Sequence, residues 1–503
     1  MALTAPVVAR AATVRVTSDA ELTAVISLAQ PGDVVQLAPG AYGTIIVAGR
    51  GGPDADITIT GEPGATIAGM AITGSTRLVV TGLAVAPAGA VTAYINVASS
   101  NAVTFSDLHL DGGAGGPGVA IWLTPDDLGV VIRNSTFLHC ASPMCIRASS
   151  PDVLIEHNVF DELDDSDAVH GFGGGVIRYN HMDHALPAGN GNHNDFIQIG
   201  NGGPWTIDGN WFGVRTGGAA SIWVDSIDKG VIHDVLIQNN VLTGHYVGQD
   251  VGIFVAGDDR QVPLLPSNVR VLNNTVTSGL LNSLRFGALY ATIPVDQRPL
   301  VANNVGDRLR GMCDRIRSED NVFADGEACS ASDAIGDAAL DANGAPTAAS
   351  ALLLGRADPL VAPPVDYFAC PRGGVSDIGA IEHGACPPAP LAPEPPAVIG
   401  HTKTATVEGR ARARARARIL SVRTHRLGRR IRVLVRCSNA THLAVSLVVR
   451  GRVVARAARR GTTRHGVKLT LRAPRTGRLE VRVRALGAGG SAVRTITLEA
   501  PRA

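Results

Sequence analysis

One short phrase recurs eight times between residues 132 and 323: usually an aliphatic residue, two variable residues, Asn, one more residue and an apolar one. The copies are IRNSTF (132–137), IEHNVF (155–160), IRYNHM (177–182), IDGNWF (207–212), IQNNVL (237–242), VLNNTV (271–276), VANNVG (301–306) and SEDNVF (318–323). Their fourth positions are Ser135, Asn158, Asn180, Asn210, Asn240, Asn274, Asn304 and Asn321, at intervals of 23, 22, 30, 30, 34, 30 and 17 residues. A period of this size, with short β-branched runs and no amphipathic helix inside each unit, predicts a solenoid in which each unit is one coil. Asn suits a corner because it tolerates left-handed backbone angles and hydrogen-bonds its own turn, so stacked copies are expected to form a ladder. Functional residues should then be sought along columns, one residue per coil.

Composition agrees with a narrow coil. Gly reaches 58 residues and aromatics only 4%, which suits tight turns around an interior of Val, Ile and Ala. A solenoid grows along one axis, so 503 residues do not imply three or four separate domains. No run of 18 apolar residues is present, and no membrane span is predicted. Residues 1–12 lack a charged start and a long apolar stretch, but Ala9-Arg10-Ala11 resembles a signal-peptidase site, so they read as the remnant of an export signal. Three close cysteine pairs, Cys140/Cys145, Cys313/Cys329 and Cys370/Cys386, suit disulfides of a secreted or cell-surface protein, with buried free thiols as the alternative. Cys437 is left over.

Charge divides the chain in two. From His401 onward there are 24 Arg and 2 Lys against 3 Glu, a net of +23, whereas the remainder holds 19 basic and 41 acidic residues. Between the two lies a Pro-rich linker, 387–400, read as a stiff spacer. Residues 401–503 alternate in strand fashion, as in IRVLVRC and VKLTLRA, and predict a small immunoglobulin-like β-sandwich. Such an Arg excess predicts a polyanionic partner, an anionic cell-wall polymer before any specific nucleic acid. A scatter of Arg that only balances the acidic domain is the competing reading.

The preceding domain, 13–386, opens with Ser18-Asp-Ala-Glu21, a capping-box spacing ahead of ELTAVISLA. A short helix is expected there, within a cap of residues 13–31. The run Ala29 to Tyr42, of the form AxPGDxxxLxPGxY, and the Asn-punctuated coils resemble the pectate-lyase-like superfamily of right-handed parallel β-helix proteins. The start resembles the alginate and chondroitin lyases of polysaccharide lyase family six. Asp377-Ile-Gly-Ala-Ile-Glu382 resembles the closing motif of many bacterial secreted β-helix proteins. The resemblance implies an all-β, right-handed parallel β-helix solenoid acting on polysaccharide.

A second strand precedes each Asn phrase: AIWL (120–123), CIRA (145–148), AVHG (168–171), FIQI (196–199), SIWV (221–224), GIFV (252–255) and ALYA (288–291). If Ile121, Ile146, Val169, Ile197, Ile222, Ile253 and Leu289 point inward, alternation sends Trp122, Arg147, His170, Gln198, Trp223, Phe254 and Tyr290 outward in one line. Flat rings for sugar stacking at the ends and ionisable groups between them suit a glycan groove, although a covering loop would make the same rings a satellite core. Asp167 and Asp195 share their spacing to His170 and Gln198, so they should stack, while Asp225 and His193 lie close by in sequence. Stacked carboxylates raise one pKa or recruit a cation such as Ca2+, unless each only caps a turn.

The catalytic candidates are therefore Asp167, His170, Asp195, Arg147 and His193, and the substrate-binding candidates Trp122, Gln198, Trp223, Asp225, Phe254 and Tyr290. HNDFIQ (193–198) also resembles a phrase of secreted actinobacterial β-helix proteins. The Lys and Arg pair of the family-six lyases has no counterpart in position, since the only Lys of residues 13–386 is Lys229 and the next Arg after it is Arg260. The order of polygalacturonase motifs is not reproduced by Asp164-Asp165 and His170-Gly171. Two readings follow: a monomeric polysaccharide lyase or glycoside hydrolase working along one sheet, or a non-catalytic, adhesin-like glycan binder on the cell surface. In a lyase, His170 would be the base and Arg147 would neutralise the uronate; in a hydrolase, Asp167 and Asp195 would be acid and base.

Overall fold

The computed structural model divides into two units, residues 1–401 and 402–503. It describes residues 11–384 apart from 88, 90, 113–117, 141–142, 165, 187–194, 217–219, 227–229, 245, 248–250, 257–263 and 278–281, and strand backbones between 418 and 498.

The first unit is a parallel β-helix, and strand pairing sorts it into three long rows and a short fourth one of four two-residue strands, Leu163–Asp164, Ala185–Leu186, Arg215–Thr216 and Tyr246–Val247. Row P is a sheet of 13 parallel strands, running from Thr13–Val16 to Arg317–Glu319. Rows Q and R belong to one sheet of 21 strands, in which Ala65–Thr73 is long enough to pair with Ala84–Val85 of Q at one end and Ala93–Ala98 of R at the other. A typical coil thus runs through Val131–Arg133 (P), an Asn or Ser corner, Thr136–Leu138 (Q) and Met144–Ala148 (R). Stacking is one strand spacing per coil, about 4.8 Å. The interior is three apolar files, exemplified by Ile132, Phe137 and Ile146, all fully buried. Full burial of such a side chain stabilises by about 1.5–3 kcal/mol, and Phe137 stacks on Phe160 one coil later at 4.7 Å.

The corner ladder forms and uses its residues differently from the sequence expectation. Each Asn amide donates to the next coil, Asn158 to Asn180, then Asn210, Asn240, Asn274, Asn304 and Asn321, at 2.9–3.0 Å. Its backbone N–H donates to the same oxygen, as Asn158 does to Asn180 at 3.0 Å. The left-handed residue is the one before it: His157, Tyr179, Gly209, Asn239, Asn273, Asn303 and Asp320 have φ of 49–62°. The ladder Asn is therefore selected for carrying donor and acceptor on one amide, and its neighbour makes the bend. The file ends at Asp333, whose carboxylate accepts both N–H groups of Asn321. A carboxylate suits a last position because it need not donate onward.

At the N-terminal end the helix spans Asp19–Leu28, with the Ser18 hydroxyl accepting from Glu21 N–H. Leu22 and Ile26 join the core, and Asp19 accepts from Gly43 N–H at 2.9 Å. The cap is thus narrower than 13–31, because Thr13–Val16 is already a strand, paired with Val34–Leu37. Residues 340–384 pack back along the corner of the later coils. Asn303 exchanges hydrogen bonds with Asp358, and Asn273 donates to the carbonyls of Asp377 and Gly379. The closing motif is a latch: Arg372 and Glu382 form a buried ion pair, and Arg372 also bonds Asn239 at 3.0 Å.

Cys140–Cys145 and Cys313–Cys329 are disulfides, and Cys370 is also disulfide-bonded, while Cys386 lies outside the described residues. So do residues 1–10, with the expected export remnant, and the linker. No helix among the described residues is long and apolar enough to cross a membrane. Among the described residues the second unit has seven strands in two antiparallel sheets: Arg418–Leu427, Arg430–Ser438 and Val467–Arg472 in one, and Arg452–Arg460, His442–Val449, Leu479–Gly487 and Gly490–Leu498 in the other.

Candidate functional site

Strand register in row R pairs Trp122 with Arg147, Arg147 with His170, His170 with Gln198, Gln198 with Trp223 and Trp223 with Phe254. The six residues form one line. The seventh place belongs to Arg285, which pairs with Phe254, and Leu284 is its inward neighbour. Tyr290 is not in the line: it sits fully buried in a 3-10 turn, Ala288–Thr292, donating to Pro266 O at 2.7 Å. Its burial pushes the phenol pKa far up, so it stays neutral. Upstream the line continues through Asn96, paired with Trp122.

The inward set is Ile121, Ile146, Val169, Ile197, Ile222 and Ile253, all fully buried. The other outward file, Ala120, Cys145, Ala168, Phe196, Ser221 and Ser283, is buried too, so half of the row R face is covered and the line runs along its open half. Trp122, Arg147, His170, Trp223 and Phe254 are partly exposed and Arg285 exposed, but Gln198 is only 5% exposed.

Neighbouring coils place rings against cations. The Arg147 guanidinium lies 4.9 Å from the Trp122 ring centre and 4.1 Å from that of Phe172, which shares the outward parity of His170 two residues on. Phe172 stacks on His170 at 4.3 Å, Trp223 meets Phe254 at 4.4 Å, and Arg285 lies 5.3 Å from the Phe254 ring. Cation–π pairs of this kind are worth about 0.5–2 kcal/mol and keep the side chains extended along the face. At the upstream end, Thr92, Ala93, Asn96, Trp122 and Thr124 line a mostly apolar depression of about 460 Å³.

The carboxylates have another task. Asp167 is 3% and Asp195 0% exposed. Asp167 Oδ1 accepts Asp195 N–H at 2.9 Å, and Asp195 Oδ1 accepts Ala220 N–H at 2.7 Å. They form a short second ladder, holding the starts of two row R strands, Ile197–Ile199 and Ala220–Asp225, which is the turn-capping alternative. Asp167 Oδ2 also lies 3.3 Å from His170 Nδ1 and orients that ring. Asp225 is buried as well, and His193 and Asp165 lie outside the described residues. His181, in row Q, and His184, just beyond that strand, are not in the line: His181 stacks on Trp211 at 4.1 Å, and His184 bonds Asp161 at 2.7 Å. Among the described residues no three His, Cys, Asp or Glu side chains converge to hold a metal ion.

Sequence reading missed Arg285 and Phe172. Phe172 was visible through alternation from His170, whereas the strand of Arg285, Asn282–Phe286, lies between two equally strand-like runs.

No family model matches the chain, and no curated protein matches it. Solved structures similar to it include polysaccharide lyases, a glucanase and a bacteriophage tailspike protein. The catalytic domain of a GH87 α-1,3-glucanase in complex with nigerose shares 14% identity at a TM-score of 0.42, covering 66% of this chain and 70% of that one. The PL6-family alginate lyase AlyGC shares 16% at 0.36, covering 65% and 54%. Pectate lyase C from Erwinia chrysanthemi shares 16% at 0.29, covering 41% and 69%. The chain spans about half the length of AlyGC.

Proposed function

We propose that this protein binds an extended acidic polysaccharide along the open half of row R, outside the cell. The observation that carries the reading is the line itself: Trp122, Arg147, His170, Gln198, Trp223, Phe254 and Arg285 hold rings, two guanidinium groups and an imidazole, and no carboxylate. This occurs in a region with 41 acidic against 19 basic residues. Seven rungs at about 4.8 Å give a track of about 30 Å, long enough for several sugar units. Rings present flat apolar faces to sugars, and arginine forks pair with carboxylates. Two disulfides accord with an exported protein.

A catalytic version is favoured by one contact, Asp167 to His170 Nδ1, which fixes the tautomer of a ring one rung from Arg147. In it, His170 takes the proton α to a uronate carboxylate that Arg147 neutralises, the C–O bond β to that carboxylate breaks to give the unsaturated end, and the leaving sugar oxygen takes a proton from solvent. The hydrolase version loses support, since Asp167 and Asp195 are buried and engaged by backbone N–H groups. Residues 401–503, with their net +23, are proposed to bind anionic cell-wall polymer by a salt-sensitive charge interaction.

The test is a panel of pectate, alginate, glycosaminoglycans and neutral glucans, scored for binding and for absorbance of unsaturated ends. Binding of polyuronates without new absorbance supports the binder, and absorbance that disappears in His170→Ala supports the lyase. Preference for a neutral glucan would remove both.

A further inference from the structure

A second concavity, of about 560 Å³, opens on row P beside strands Ser267–Leu272, Leu300–Ala302 and Arg317–Glu319. That size falls within the roughly 300–1,000 Å³ of small-molecule sites. One wall is apolar, formed by Leu265, Pro266, Val269 and Ile293, with Leu265 and Ile293 packed on the core. The other carries Arg298 and Arg317.

These two side chains are held but not neutralised. Arg298 donates from Nε to Ile293 O at 3.2 Å and from Nη2 to Ala291 O at 3.3 Å, and Arg317 Nε donates to Arg298 O at 3.3 Å. Those bonds fix both guanidinium groups and leave most of their N–H donors unused. Neither makes an ion pair with a described residue, in contrast to Arg178, Arg308 and Arg372. Asp296, the acidic residue of the lining, is exposed on the turn Val295–Gln297 and pairs with neither. Two half-buried cations on one wall, facing an apolar wall, form a field and a shape that suit one kind of occupant.

We infer that this cavity is a separate binding site for a small carboxylate carried on an apolar ring. The carboxylate pairs with Arg317 and Arg298, where two forks give bidentate geometry, and the ring lies on Leu265, Pro266 and Ile293. A bare phosphate would satisfy the cations and leave the apolar wall wet.

Calorimetric titration of the full chain with benzoate, benzyl alcohol and inorganic phosphate tests the inference. Saturable benzoate binding is expected, with little from benzyl alcohol or phosphate. It should weaken about tenfold or more in Arg317→Ala and persist in Trp223→Ala, which separates it from the row R line. Arg317→Lys keeps the charge and loses the fork, so it should also weaken benzoate while melting as the parent does. No saturable benzoate binding, phosphate binding equal to it, or full affinity in a folded Arg317 variant would overturn the assignment.

Discussion

The Asn corner and the row R line are built from the same coils at the same spacing, yet one repeats a single residue and the other never settles. From Asn180 to Asn321 every corner side chain faces the same demand: accept two N–H groups from the coil before and donate one N–H to the coil after. Only Asn meets it, so repetition there marks structure. The line faces no such demand, since the backbone of row R is satisfied by strand pairing. Its seven positions carry five residue types, with Trp and Arg each occurring twice, and that variety marks where selection acted on something other than stacking.

The sharpest way to break the contrast is Asn210→Ala. Asn180 would lose the acceptor for its N–H and its amide, both at 3.0 Å, and Ile177 O would lose its donor at 2.9 Å. Unpaired buried polar groups cost about 1–3 kcal/mol each, so a destabilisation on the order of 3 kcal/mol or more is expected in a denaturant melt. Asp195→Ala should cost about 1–3 kcal/mol by removing the acceptor of Ala220 N–H. Normal stability in that variant, with glycan turnover abolished, would return Asp195 to the chemistry.

The reverse behaviour is expected in the line. Trp223→Ala, which removes a ring tilted against Phe254, should weaken glycan binding roughly tenfold, about 1.4 kcal/mol, and barely move the melting temperature. An unchanged affinity, or a large loss of stability, would make that ring a piece of core.

The smallest effect is a pH dependence at a third place, the row Q edge. Asp111, and then Glu162, raise the His139 pKa to about 9 from 6.5. The folded state thus favours the protonated ring. Its contribution to stability is complete below pH 6.5 and is lost as pH rises through about 9. The melting difference between the parent and His139→Gln should accordingly be largest near pH 6 and close above about pH 9, a trend that a flat difference would refute.

Much of this was legible in the sequence because β-helix coils turn periodicity into position. The Asn intervals reappear as ladder hydrogen bonds, and strand alternation placed Trp122, Arg147, His170, Trp223 and Phe254 correctly. Alternation gives the face and not the depth, which is why Gln198 came out buried. It also fails where strand-like runs adjoin, as between Asn282–Phe286 and the turn that holds Tyr290. The roles of Asp167 and Asp195 depended on which backbone N–H groups lay one coil away, something spacing shows only after the register is known.

The central claim, that the row R line reads acidic glycan, is tested most directly by Arg147→Gln. Polyuronate and neutral glucan binding would be compared with the parent at moderate salt; both chains carry residues 401–503, so the contribution of the basic unit cancels. The account predicts a loss of affinity confined to the acidic ligand, with the melting curve in place. Equal binding of polyuronate by both chains, or an equal loss for the neutral glucan, would contradict it.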